Sequence, residues 1–570
     1  MEGAQTVDAD QQCTRQQANR ESGATRRNHA RILEQAGKIG FWWQSHHQVA
    51  QRLGVPDSSF RYCCRQHQQR SQQSRFPQPF FEFCESTPGL EFLHRLLVAL
   101  HLVFAEANDC GLRSIGWFLE LSGLDEFLPA SYGAQQDFAA RLETALAEFG
   151  EQEEQRLAAQ MPPRQISVCE DETFHPQICL VAIEPVSNFL LLQQYAPRRD
   201  AETWNACLDE RLADWPVTVC QVTSDQASAL IAHTQQHLGA HHSPDLFHVQ
   251  HDTVQATSLA LAGQTRRAHE AASAATQQTD QRQQELAACQ QQCPQSSGVV
   301  ELQQQLDQAL AAEAEIRQQV TACQQRQQQA TEARQAISHD YHPIDLETGQ
   351  PVDADKVGRR LSGHFDQLDR IADQAGLSAR AKAKLAKARR VLASMQSTIL
   401  FFWTTVSRLL ASWQLPAATA QWLREQLLPG LYLESVAGKA KTAAERQRLR
   451  ERADEILARA RSPDGVWGTL TEAEQQDLEA KARECADLFQ RSSSCVEGHN
   501  GQLSLRHHGL HRLTVRKLGA IRVLHNYLIE RRDGTTAAER FFGQRPRSLV
   551  PWLLARLPLP ARPRRRDNAN

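Results

Sequence analysis

Gln165-Ile166-Ser167-Val168-Cys169-Glu170-Asp171-Glu172-Thr173 decides how the middle of this chain is read. Its first five residues are short, apolar and β-prone, and a cluster of acids follows. Such runs read as buried strands. Residues 177–184 and 188–195 are two more, set off by His175-Pro176 and Pro185-Val186-Ser187 as turns. A helical pattern over 201–213 leads to a fourth strand-like run, 217–223, which meets a second acid, Asp225. Another helix is expected over 227–238. A third acid, Glu497, lies 272 residues beyond Asp225, in Ser492-Ser493-Ser494-Cys495-Val496-Glu497-Gly498-His499-Asn500.

The order β-β-β-α-β-α is that of the ribonuclease H-like fold. There the first and fourth strands lie side by side, which would bring Asp171 close to Asp225. Their separation of 54 residues accommodates two strands, a helix and a further strand. Each acid also has a plain structural reading. Asp225 can cap the helix after it. Ser494-x-x-Glu497 matches a capping box. Asp171 can be a turn residue, with Glu170 and Glu172 competing for its role.

Working outward, residues 1–80 predict a helix-turn-helix DNA-binding region. Helices over His46–Leu53 and 57–66 flank Gly54-Val55-Pro56, with Val49, Leu53, Val55 and Phe60 between them and Asp57 or Ser58 as the cap. The second helix carries Arg61, Arg65 and Arg70, a set suited to the major groove. Residues 81–160 predict a helical domain, and 112–128 suggest a second helix-turn-helix or a packing unit. The first part of the core occupies 161–251. Residues 252–337 predict a helical hairpin or coiled coil. In its second arm Leu302, Leu306, Ala309, Ile316, Val320, Cys323, Ala330 and Ile337 follow steps of three and four, interrupted by Glu313, Gln327 and Arg334. Cys289 and Cys293 lie at the hairpin tip, too far from Cys323 to share a zinc ion with it. Residues 338–480 predict a helical insertion broken at Pro416, Pro429-Gly430 and Pro463-Asp464-Gly465. Residues 481–547 complete the core with Glu497, and 548–570 form a basic tail.

The net charge of −3 conceals an asymmetry. Residues 1–75 hold 11 Lys/Arg against 6 Asp/Glu, and residues 498–570 hold 15 against 4. Basic ends around an acidic middle fit a protein that meets nucleic acid at particular surfaces. The start is polar, and no run approaches the ~18–20 apolar residues of a membrane span. The 14 cysteines are scattered and read as reduced core thiols. A cytoplasmic protein without a membrane partner is expected.

The chain resembles prokaryotic, insertion-sequence-type transposases of the ribonuclease H-like, acidic-triad class. The resemblance rests on Asp171-Glu172-Thr173, on Asp225 at a strand end, on Asp245-Leu246-Phe247-His248 as an Asp-x-x-His element, and on Glu497-Gly498-His499-Asn500. It implies an α/β ribonuclease H-like core with a mixed five-stranded sheet, interrupted by a large all-α insertion. It implies that Asp171, Asp225 and Glu497 are catalytic and hold two Mg²⁺ or Mn²⁺ ions, with Asp245, His248 and Asn500 in support. Double-stranded DNA, as element ends and as target, is the implied partner, bound in part by Arg512, Arg516 and Lys517. Pairing two ends implies a homodimer or higher oligomer associated with the nucleoid. A transposase-derived DNA-binding protein without catalysis, or a ribonuclease H-like nuclease or resolvase, is the alternative. The wide gap before Glu497 requires that residues 252–480 be an insertion and that the chain fold back.

Overall fold

The computed structural model describes residues 22–38, 44–174, 176–292, 295, 297–510 and 513–563. It is mostly helical around one mixed five-stranded sheet. Three helices open it: α1 (Gly23–Lys38), α2 (His46–Leu53) and α3 (Asp57–Gln72). Ser45 and Gln48 form a reciprocal capping box at the start of α2. Gly54 ends α2 at φ 67°, a conformation glycine enters without a Cβ clash. Val49, Ala50 and Phe60 are buried between the helices, with Leu53 and Val55 packed against them. Asp57 and Ser58 lie inside α3 and do not cap it; Pro56 precedes the helix, and no side chain bonds to its first turn.

Of the two readings of 112–128, the packing unit matches the structure. Helix Leu112–Leu121 is followed only by a three-residue turn of 3₁₀ helix, Leu124–Glu126. Phe127 and Leu128 are buried in the main core, so this segment packs and offers no recognition helix. The long helix α4 (Tyr132–Ala158) then leads to the sheet.

The strands are β1 (Arg164–Phe174), β2 (Ile178–Glu184), β3 (Phe189–Ala196), β4 (Val217–Ser224) and β5 (His241–Pro244), and the helix between β3 and β4 is α5 (Ala201–Leu212). Their spatial order is β3-β2-β1-β4-β5. β1 runs antiparallel to β2 and parallel to β4, and β5 is parallel to β4. Both faces are covered, which is why the strands read as near-continuous apolar runs. Val168, Leu180 and Ala182 join the core built with α4, while Cys169, Val181 and Ile183 pack on the opposite face against Val496, Leu503 and Ile521. β1 is longer than the apolar run suggests: Asp171 to Phe174 pair with Val181 to Ile178 of β2. Asp171 therefore sits within a strand and is no turn residue. The helix expected over 227–238 divides into Ser228–Ala232 and a π-helical turn, His233–His237.

After β5 the chain leaves the sheet in α6 (Leu246–Gln292) and returns in α7 (Ser297–Asp340). At 1.5 Å per residue each arm is about 65–70 Å long. The eight apolar seam positions of α7 are buried or half-buried, as their spacing requires. The three polar interruptions each meet a hydroxyl of α6. Thr276 donates to Glu313 at 2.7 Å, Thr265 donates to Gln327 at 2.7 Å, and Arg334 donates to Thr257 at 2.7 Å. Beyond the hairpin, helices through Asp487 enclose a second core that includes Leu361, Phe365, Phe402 and Leu431. Pro429-Gly430 makes no break: Pro429 lies in the first turn of Leu428–Lys439, which continues directly from Leu423–Leu427.

The chain rejoins the sheet through residues 490–493 and ends in α8 (Ser494–Leu510), α9 (Val515–Tyr527) and two short helices. Thr536 caps Ala537–Phe542, whose Phe541 stacks on Phe189 with centroids 4.6 Å apart.

Candidate functional site

Asp171 and Asp225 lie at the same end of the sheet because β1 and β4 are parallel neighbours. The last pair of their ladder is Cys169 opposite Thr223. Each aspartate lies two residues further along its own strand direction, so both emerge at one edge of the sheet. The acids beside Asp171 have other neighbours. Glu170 is fully buried with its Oε1 3.4 Å from His233 Nε2. Glu172 accepts from Trp204 Nε1 at 3.1 Å and faces Arg199 at 3.6 Å. Asp225 also has part of its capping role, since its Oδ1 accepts from Ala227 N at 2.8 Å.

The return of Glu497 depends on the four residues before α8. Gln490 O accepts from Gln221 Nε2 at 2.8 Å, and Arg491 O accepts from Leu246 N at 2.9 Å. Ser493 gives both its N–H, at 3.0 Å, and its hydroxyl, at 2.7 Å, to Asp245. The third donor to Asp245 is Phe247 N at 2.9 Å. Asp245 is thus a clamp between β5, the start of α6 and the start of α8. Val496 and Leu503 then bury one side of α8 against the sheet. Glu497 and Asn500, three residues apart and so on a shared helix face, are left at the sheet edge. Asn500 Nδ2 donates to Asp171 Oδ2 at 2.7 Å.

Glu497 is not closing a capping box. Its Oε1 lies 3.5 Å from His248 Nε2, and that nitrogen is 3.7 Å from Asp245 Oδ2. His248 is exposed by 39%, so it is no core histidine. The ligand atoms of Asp245, His248 and Glu497 all lie within 4.8 Å of one another. The carboxylates feel each other electrostatically. Burial pushes the Asp171 carboxyl up to about 6, and the charge of Glu497 adds to the shift. Burial also raises Glu497, helped by Asp245 and Asp225 and opposed by His248 and His251. Among the described residues no Lys or Arg forms an ion pair with Asp171, Asp225 or Glu497. Asn500 Oδ1 is buried without a hydrogen-bond partner. Among the described residues the side chains close enough to share one cation are Asp245, His248 and Glu497; Asp171 and Asp225 lie outside that group, within electrostatic reach of Glu497.

Other expected residues are scattered. Arg61 and Arg65 are exposed on α3, where Arg61 pairs with Asp57 at 2.9 Å, and Arg70 is half-buried. Arg516 is 63% exposed and lies 3.8 Å from Glu143. Lys517 is buried: it donates to Ala105 O at 2.6 Å and pairs with Glu106 at 2.8 Å, so its ammonium is engaged inside the fold. Arg512 and the basic cluster at 564–566 lie outside the described residues. Sequence reasoning missed Ser493, whose only signal was a run of three serines ahead of an acid-bearing helix.

Over residues 423–569 the chain matches a family model described as a family of unknown function (DUF6399). That segment contains Glu497 and Asn500 and excludes both aspartates of the sheet edge. No curated protein and no solved structure matches the chain. Among the described residues no helix is long and apolar enough to cross a membrane.

Proposed function

We propose that this protein is a DNA transposase of the ribonuclease H-like, acidic-triad class, of prokaryotic insertion-sequence type. The observation that carries the reading is that Asp171 and Asp225 lie at the same end of adjacent parallel strands in a sheet ordered β3-β2-β1-β4-β5, and that Glu497 returns across a 272-residue gap to within electrostatic reach of each. The strand order supports assigning the sheet to the ribonuclease H-like fold.

Asp171, Asp225 and Glu497 would hold two Mg²⁺ or Mn²⁺ ions. Such ions supply activation of the attacking oxygen and stabilisation of the leaving oxygen in phosphodiester chemistry. Asn500 fixes the rotamer of Asp171 through its 2.7 Å bond. Asp245 and Ser493 fix where α8 begins and hence where Glu497 points. Residues on rigid strands and a packed helix keep the reacting phosphate in one orientation. Hydrolysis of the phosphodiester at an element end frees a 3′-hydroxyl; its oxygen then attacks a target phosphorus, forming the new P–O bond as the target P–O3′ bond breaks and leaves a 3′-hydroxyl. The three-helix unit α1–α3, with Arg61 and Arg65 outward, supports recognition of duplex ends. The hairpin of α6 and α7 offers a surface for pairing protomers as a dimer or higher oligomer in the nucleoid.

A strand-transfer assay tests the reading. Purified protein is mixed with duplex ends taken from beside its coding sequence, a supercoiled target and Mg²⁺ or Mn²⁺. Joined products support a transposase. Cleavage without joining favours a nuclease or resolvase, and binding without cleavage favours a transposase-derived DNA-binding protein.

A further inference from the structure

We propose that Asp245, His248 and Glu497 form a divalent-cation site with a nitrogen ligand, so that the protein takes Mn²⁺ in preference to Mg²⁺. The role of this site in phosphodiester chemistry rests on the reading above through the shared Glu497. The binding claim rests on geometry alone.

His248 Nε2 lies 3.5 Å from Glu497 Oε1 and 3.7 Å from Asp245 Oδ2. Both distances exceed a normal hydrogen bond. Donors bound to one cation at about 2.1 Å stand about 3.0–3.4 Å apart in octahedral or tetrahedral arrangements. These two spacings are close to that edge, and all three ligand atoms lie within 4.8 Å of one another. Asp245 is held in advance: it is 2% exposed and takes hydrogen bonds from Phe247 N, Ser493 N and Ser493 Oγ. His248 and Glu497 are 39% and 27% exposed, which leaves an entry path from solvent.

A second observation points the same way. Asn500, three residues from Glu497 on α8, is 8% exposed; its amide is anchored to Asp171, and its Oδ1 has no partner. A buried carbonyl oxygen left unsatisfied is costly. A cation, or a water bound to one, would satisfy it.

The nitrogen sets the preference. Mg²⁺ takes near-octahedral oxygen ligands and dehydrates reluctantly. Imidazole favours transition-metal dications, and Mn²⁺ accepts both carboxylate and imidazole. Three protein ligands leave positions for water or a phosphate oxygen.

Electron spin-echo spectroscopy of Mn²⁺ bound to the full chain tests this directly. The wild type is expected to show ¹⁴N modulation from one imidazole. His248→Gln is expected to lose that modulation and weaken Mn²⁺ binding by about tenfold or more, with Mg²⁺ binding nearly unchanged. His248→Asp, which supplies oxygen in place of nitrogen, is expected to bind both ions and show no ¹⁴N modulation. Bound Mn²⁺ without ¹⁴N modulation in the wild type, or equal Mn²⁺ affinity in His248→Gln, would overturn the proposal. DNA cleavage is scored on the same samples. Nitrogen-ligated Mn²⁺ with no cleavage upholds this site and removes the transposase reading. Cleavage by a protein whose Mn²⁺ lacks a nitrogen ligand does the reverse.

Discussion

Asn500 Nδ2 donates to Asp171 Oδ2 at 2.7 Å, joining two residues 329 positions apart. The bond ties a helix that follows the helical insertion to a strand that precedes it. Removing the donor by Asn500→Ala leaves a largely buried carboxylate short of a partner. The expected loss is about 1–3 kcal/mol of stability, read from denaturant unfolding. Asn500→Asp is expected to cost more, because it sets a second negative charge against Asp171. Equal stability of Asn500→Asp and wild type in the absence of divalent ions would contradict this geometry.

The Asp171 carboxyl titrates near 6, above its ordinary 3.8, because the fold favours its protonated form. This group therefore contributes stability below about pH 4 that is lost as the pH rises through 6. Asp171→Asn removes that dependence. In metal-free buffer the variant should gain on the wild type between pH 4 and 7, by on the order of 1–2 kcal/mol after solvent screening. Thermal melts across that window measure it, and added Mn²⁺ should shrink the difference by stabilising only the wild type.

His499 shows the opposite sign. Its buried ring, bonded to Gln193 Oε1, is held down at about 3. Its contribution to stability is present above pH 6.5 and is lost as the pH falls toward 3. His499→Gln should make the acid limb of the stability curve shallower. An unchanged limb, followed by circular dichroism, would mean that the ring is not held neutral.

Much of the sheet was legible because burial on both faces writes strands as apolar runs, and the side-by-side placement of β1 and β4 was expected from the fold that their order resembles. β5 was not legible as a strand: His241-His242-Ser243-Pro244 carries no apolar signal, and its burial comes from neighbours distant in sequence. The length of β1 was hidden because Asp171-Glu172-Thr173 reads as a turn until β2 pairs with it. The Asp245 clamp was invisible for a different reason: its partner Ser493 lies 248 residues away. The cross-hairpin polar pairs were equally unreadable, since Glu313, Gln327 and Arg334 look like defects until the hydroxyls of α6 stand opposite them.

Lys517 illustrates how charge misleads. Within a basic C-terminal region it reads as a phosphate contact, yet it is buried against Glu106. Lys517→Met should cost about 3–5 kcal/mol by stranding that carboxylate. Pairing it with Glu106→Leu should recover most of the loss. Unfolding of the single and double variants checks this, and a stable Lys517→Met protein with weakened DNA binding would restore the phosphate-contact role.

Under the proposed function, Asp171, Asp225 and Glu497 act as one metal-dependent site on DNA. The most direct measurement is nicking of duplex DNA carrying the sequences that flank this chain's coding region, by wild type and Asp225→Asn, with Mg²⁺ or Mn²⁺. The account predicts that Asp225→Asn binds the DNA about as well as wild type and nicks it at least about 10²-fold more slowly. Full Mn²⁺-dependent nicking by Asp225→Asn would contradict it.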